Sequence, residues 1–303
     1  MTAFSPTDAA FEGFRLTREQ PRVVAAWAAL YTVGGLGLSA VTVVAVGPQF
    51  ATFQSAAQRG DFTEAGRQFE SFAPFCAVIL PLVLAFWSIL TCAVYRVVLR
   101  PDQGGIGRLR FGGDELRMMG LTALLWLLTS ATIFLAALFV SFGGIMAATG
   151  GGVLGGLLTT TTGLVGFGLA IWVWVRLSRA GPMTFVTGEI HIFRSWSLTK
   201  GHFWRLVGAY LLAFALAFVV TVLAAIIFNA LAHVVILMTG GSFADLTRAQ
   251  PNASSIAAYF TPVEILGEVF SAVLRIVVYA VVLSPAAVIY AALTGHPVHH
   301  GGG

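Results

Sequence analysis

Charge is what this chain has least of. Asp, Glu, Lys and Arg together make up 10% of 303 residues, while the AVILMFWYC set makes up 57%. A soluble domain carries about 25% charge. The polar surface that would keep a chain of this size in water is missing, and mean hydropathy is +0.87. A soluble enzyme, a disordered chain and a nucleic-acid binder are all excluded on that ground, despite a pI near 9.4. Lysine is nearly absent too: Lys200 stands alone among 17 basic residues. With abundant Ala, Gly and Val, this arginine bias suggests a GC-rich bacterium and makes its cytoplasmic (inner) membrane the expected location. Cysteine is scarce, and Cys76 and Cys92 fall on one expected helix. Sixteen helical residues separate them by about 24 Å, too far for a disulfide within one chain. They read as two small hydrophobes.

What the chain does have is long apolar runs. A spanning helix needs about 20 mostly apolar residues. Six stretches qualify: 23–46, 75–95, 121–142, 157–175, 206–237 and 265–293. The expected fold is an all-α integral membrane protein, one polytopic domain of six transmembrane helices over 1–303. The first 22 residues alternate Asp8, Glu12, Arg15, Arg18, Glu19 and Arg22. They lack a basic segment leading into a short apolar run, so no cleavable signal peptide is expected.

Orientation follows from the basic residues. Arg15, Arg18 and Arg22, then Arg96, Arg100, Arg108, Arg110 and Arg117, then Arg176, Arg179, Arg194, Lys200 and Arg205 fall on one side. Only Arg59, Arg67 and Arg248 fall on the other, and Arg275 lies within the sixth apolar stretch. Both termini are therefore expected to be cytoplasmic.

The three cytoplasmic segments that precede outgoing spans are alike: 11–22 (FEGFRLTREQPR), 109–119 (LRFGGDELRMM) and 193–206 (FRSWSLTKGHFWRL). Each mixes aromatic or aliphatic residues with Arg. The pattern predicts interfacial amphipathic helices, apolar side toward acyl chains and basic side toward phosphates, and three helix-plus-hairpin units. The plainer alternative is that any juxtamembrane segment is aromatic and basic.

One stretch carries a likeness. Pro182, Gly188 and Glu189, then Ser195-Trp196-Ser197-Leu198-Thr199-Lys200-Gly201, then Phe203-Trp204-Arg205-Leu206 resemble the bacterial six-span membrane domain associated with glycerophosphodiester phosphodiesterases, which also occurs without the catalytic barrel. About forty residues carry the likeness clearly. It implies no catalytic residue here, because that chemistry belongs to the separate barrel. Read physically, Thr199 or Ser197 caps the fifth span. Gly201 permits a bend, Trp204 and Arg205 anchor it at headgroup level, and Glu189 either pairs with Arg194 or Arg179 or accepts from a backbone turn. The functional alternative is an anionic lipid-headgroup site made of Arg179, Arg194, Lys200, Trp204 and Arg205.

Ionisable groups at membrane depth are functional candidates by default. Counting from the span ends sets His233 level with Glu268, and Asn229 level with Arg275. Glu264, Glu268 and Arg275 recur on one helical face. This cluster is either a salt-bridge junction between spans five and six or a proton relay or solute site. Pro81 and Pro285 should kink their helices.

Other motifs carry less. Leu164-Val165-Gly166-Phe167-Gly168 faintly resembles a potassium-channel filter, but it continues into an ordinary span, and its glycines suit close helix packing. Residues 143–156 hold seven glycines and read as a tight turn. His296, His299 and His300 lack Cys or carboxylate neighbours and read as a solvated tail, and His191 and His202 lie in a basic segment that needs no metal. No metal or cofactor is expected, no nucleophile or metalloprotease motif is present, and no enzymatic activity is expected. Two functions remain. The first is a lipid-interacting scaffold or subunit of a membrane assembly, with anionic lipids, a protein partner or a second copy as partners. The other is a small-solute or lipid transporter or channel using the polar cluster.

Overall fold

The computed structural model describes residues 5–100, 102–199, 201, 203–239 and 256–295. Lys200, His202, Arg248 and the His296, His299 and His300 group lie outside the described residues. Among the described residues ten α-helices carry the fold: α1 (Pro6–Glu19), α2 (Pro21–Gln58), α3 (Phe62–Leu99), α4 (Gly113–Met146), α5 (Gly152–Leu177), α6 (Ala180–Thr187), α7 (Ile192–Leu198), α8 (Phe203–Thr239), α9 (Ile256–Tyr259) and α10 (Pro262–Thr294). Six of them, α2, α3, α4, α5, α8 and α10, are long and apolar enough to cross a membrane. The chain is an all-α, six-span integral membrane protein, and each of the six apolar stretches lies within one of these helices.

The helices overrun those stretches. At 38 residues each, α2 and α3 are about 57 Å long, against about 30 Å of hydrocarbon. The sequence between spans one and two is therefore mostly helix, not loop. The turn is confined to Arg59–Gly60–Asp61: Gly60 takes φ +75° and Asp61 caps α3 by accepting from the Glu64 N–H at 3.0 Å. The turn end of this hairpin is held by the rings of Phe50, Phe53, Phe69 and Phe72, with centroids 5.3–6.4 Å apart.

α10 is the central helix and packs on α1, α2, α3 and α8. Around it the core gathers Trp27, Leu90, Ala93, Val94, Ala272 and Ile276. α4 and α5 stand aside as a hairpin with little burial. Small residues bring them together: a Cβ at Gly143 would lie 2.8 Å from the Thr159 nitrogen, one at Gly166 2.6 Å from the Ala136 Cβ, and one at Gly155 would collide with the Ala147 backbone. The filter-like run 164–168 is plain α5, and Gly166 is its packing glycine. The glycine-rich turn narrows to a π-helical turn at Ala147–Gly151, since α4 runs on to Met146.

α1, the 100–112 loop, α6 and α7 gather at one end, here called the basic end. The three expected interfacial helices resolve differently. α1 is a helix, capped by Ser5, but its small face is not turned to lipid. Ala9 and Ala10 are buried against Leu206, Ala209, Ala213 and Val281, and Gly13 lies on the backbone of Val281. Small side chains let α1 wedge between α8 and α10. The segment 109–119 makes no separate helix. It follows a three-residue 3-10 turn at Ile106–Arg108 and consists of four residues of loop, then α4 itself. Gly105 and Gly107, at φ +131° and +60°, and the Gly112–Gly113 pair break the helix, and Glu115 is drawn inside by Arg96. The third segment contains α7 and the first turn of α8, joined through Gly201 at φ +81°, so the bend at Gly201 is present.

Candidate functional site

The intramembrane polar residues sort along α10. Thr261 caps this helix, its hydroxyl accepting from the Glu264 N–H at 3.3 Å. From there Glu264, Glu268, Ser271, Arg275 and Tyr279 follow at steps of four, three, four and four, which stacks them as one stripe. Two cavities open along it, both bordered by Ser271. One, about 220 Å³, is lined by Glu264, Glu268, Ser39, Tyr259 and Phe228. The other, about 450 Å³, is lined by Arg275, Ser271, Thr221, Tyr279 and Trp87. The Glu268 carboxylate rests on Gly35 of α2, where a Cβ would sit 2.5 Å from its Oε1.

Arg275 donates to the Tyr31 hydroxyl at 2.9 Å, and its guanidinium lies 5.8 Å from that ring's centroid. Among the described residues no carboxylate comes within 4 Å of it. Tyr279 shares a 2.5 Å hydrogen bond with Thr91 and packs on Trp87 at 4.8 Å. On the other side of Tyr31 and Trp87 is a third cavity, about 430 Å³ and almost wholly apolar, between α2 and α3; Gly34, Gly35, Gly37 and Phe86 help to line it. The acids and Arg275 thus face voids, and among the described residues no salt bridge joins them to one another.

Asn229 and His233 do not join the cluster. Both are exposed on α8. The Asn229 amide donates to the Ala225 carbonyl at 2.8 Å, and His233 Nδ1 meets the Asn229 carbonyl at 2.6 Å. The expected heights are also shifted. Phe228 packs on Gly267 and Phe270, which sets Asn229 level with Glu268, and Arg275 faces Thr221. Counting turns assumed that the start of α8 and the end of α10 lie at one height, and the observed pairings offset them by about one turn.

The basic-end candidates also separate. Arg194, Trp204 and Arg205 are exposed, Trp204 by 80%. Arg179 is wholly buried. It donates to the carbonyls of Ala286 at 2.9 Å and Pro285 at 3.4 Å and lies 5.8 Å from the Tyr210 ring, so it is closed off from any headgroup. Glu189 pairs with His191 at 2.9 Å rather than with either arginine, because Gly188, in the left-handed conformation at φ +71°, turns the chain there. Thr199 does not cap α8. Its hydroxyl donates to the Trp196 carbonyl and accepts from Arg176, both at 3.0 Å.

Two arrangements escaped sequence reasoning. Arg176 sits among Trp172, Trp196 and Phe203, 5.7 Å from each ring, a cation held by aromatic faces. Arg96 and Glu115 form an ion pair with both side chains 1% exposed. Arg96 also donates to the Arg108 carbonyl at 3.0 Å, Arg108 returns a bond to the Arg96 carbonyl at 3.1 Å, and Glu115 accepts from the Gly112 N–H at 2.8 Å. Trp27 donates to the Gly107 carbonyl at 2.6 Å. Partial burial pulls the Arg108 guanidinium below its ordinary pKa, opposed by Asp102. Two adjacent acids, Asp114 and Glu115, amid the arginines of 108–117 were the available signal for this knot.

Comparison with protein-family models, curated proteins and solved structures found no match for this chain.

Proposed function

We propose that this chain is a non-enzymatic, lipid-interacting membrane protein, a scaffold or subunit of a larger assembly in a bacterial inner membrane, with the basic end cytoplasmic. The observation that carries this reading is the surface at the start of α8: Trp204, 80% exposed, stands beside exposed Arg205, with exposed Arg194 on α7. An amphipathic ring and neighbouring cations are the chemistry of an anchor on anionic headgroups. The likeness of 182–206 to the phosphodiesterase-associated membrane domain belongs to the same proposal. The site is reduced by one member, since buried Arg179 takes no part, and Lys200 is retained from its place in the sequence.

The test is co-purified lipid, read by mass spectrometry after gentle extraction into native lipid particles. Replacing Arg194, Lys200 and Arg205 together by Gln is expected to lower retained anionic lipid several-fold at unchanged yield; equal retention overturns the headgroup site. The second reading, a transporter or channel for lipid or small solutes, is favoured by Glu264, Glu268 and Arg275 lining cavities instead of pairing with one another. Glu268→Gln that abolishes a flux at unchanged stability would select it.

A further inference from the structure

We infer that the groove at Arg275 is a binding site for a single-tailed amphiphile with a carboxylate head, the head on the Arg275 guanidinium and the tail in the apolar cavity between α2 and α3. Arg275 lies 13 residues from one end of α10 and 19 from the other, about 20 Å and 28 Å along the axis. A cation held there is costly. Its one hydrogen bond among the described residues goes to a neutral phenol, although a guanidinium has five N–H donors. A carboxylate supplies a matching two-oxygen acceptor for the donors left over.

The placement of the cavities selects the rest of the ligand. Trp87 lines both the Arg275 groove and the apolar cavity. Tyr31 lines the apolar one and holds Arg275 from it. A head at Arg275 therefore has an apolar chamber next to it, with open space at Gly37. Each space, about 450 and 430 Å³, falls in the range of small-molecule sites. The depth disfavours a phospholipid, whose larger headgroup stays at the interface. The site is remote from the exposed arginines of the basic end, so either proposal can fail alone.

The full chain in nanodiscs of phosphatidylcholine, titrated with brominated stearic acid, tests this through quenching of tryptophan fluorescence. Saturable quenching is expected, and Trp87→Phe should remove most of it. Brominated stearyl alcohol, with the same tail and no charge, should need at least tenfold more ligand. So should acid binding to Arg275→Gln, whereas Arg275→Lys stays within a few-fold. Gly37 has no neighbour within 4 Å of an added Cβ, so Gly37→Leu should fill the tail cavity, keep the fold and weaken acid binding similarly. If Arg275→Gln does not fold, the acid–alcohol contrast and Gly37→Leu decide. Equal quenching by acid and alcohol, acid binding unchanged in Arg275→Gln or Gly37→Leu, or no saturable quenching overturns the site.

Discussion

Two buried arginines of this protein face opposite electrostatic situations. Arg96 is matched by Glu115, and each is the other's reason for being charged inside the protein. Arg179 has carbonyls and an aromatic ring but no carboxylate partner among the described residues, and its Nε and Nη2 are buried without hydrogen-bond partners there. Removing one member of a buried pair strands the other charge, at about 3–5 kcal/mol. Replacing a buried charge by an apolar side chain of similar volume, with no counter-charge left behind, is often near neutral. Arg96→Met is therefore expected to lower the thermal midpoint in detergent strongly. Arg96→Met with Glu115→Leu should recover most of the loss, and Arg179→Met alone should cost clearly less than Arg96→Met. An Arg179→Met loss equal to that of Arg96→Met would show that the Pro285 and Ala286 carbonyls hold the fold as firmly as the ion pair does.

Helix pairs here are joined by absent side chains. Within the bilayer no hydrophobic effect drives one helix onto another, so close packing of small residues does. The α4–α5 hairpin offers an internal control, because adjacent glycines differ in role. A Cβ at Gly143 meets the Thr159 backbone, while one at Gly144 meets nothing within 4 Å. Gly143→Leu is expected to separate the hairpin. It should lower the thermal midpoint and abolish a disulfide engineered between Val140→Cys and Gly163→Cys, where an added Cβ meets Val140 at an ordinary 3.7 Å, in a background without the native cysteines. Gly144→Leu should leave both intact, and it gains most of the roughly 1 kcal/mol by which leucine exceeds glycine in a helix. Equal losses would mean that the interface is set elsewhere. The run 164–168 makes the same point: from sequence it admits a filter or a packing face, and Gly166 on Ala136 gives it the second role.

At the scale of the molecule, the first described residues and the end of α10 meet, since Ala9 packs with Ile289 and Leu293, and the Gly60 turn lies at the far end of the α2–α3 hairpin. With Cys76→Ser and Cys92→Ala as background, Arg110→Cys should react with a membrane-impermeant maleimide only after the cytoplasmic face is opened. Arg59→Cys should react from the periplasmic side. The reverse pattern would invert the proposed orientation and with it the headgroup site.

Six spans, their limits to within a few turns and the asymmetry of arginine were all legible in the chain itself, because hydropathy and charge are summed along a sequence and need no partner. The common face of Glu264, Glu268 and Arg275 was legible too, since it depends only on helical period. Which helix each residue meets was decided by tertiary structure. Asn229 and His233 face away because of how α8 is rotated against α10. Arg179 is sealed inside because α10 passes over it, and Glu115 becomes the partner of Arg96 because glycines end the helix that the local pattern favoured. Rotation, tilt and register between helices come from side-chain shape at contacts far apart in sequence. Local composition carries no record of them.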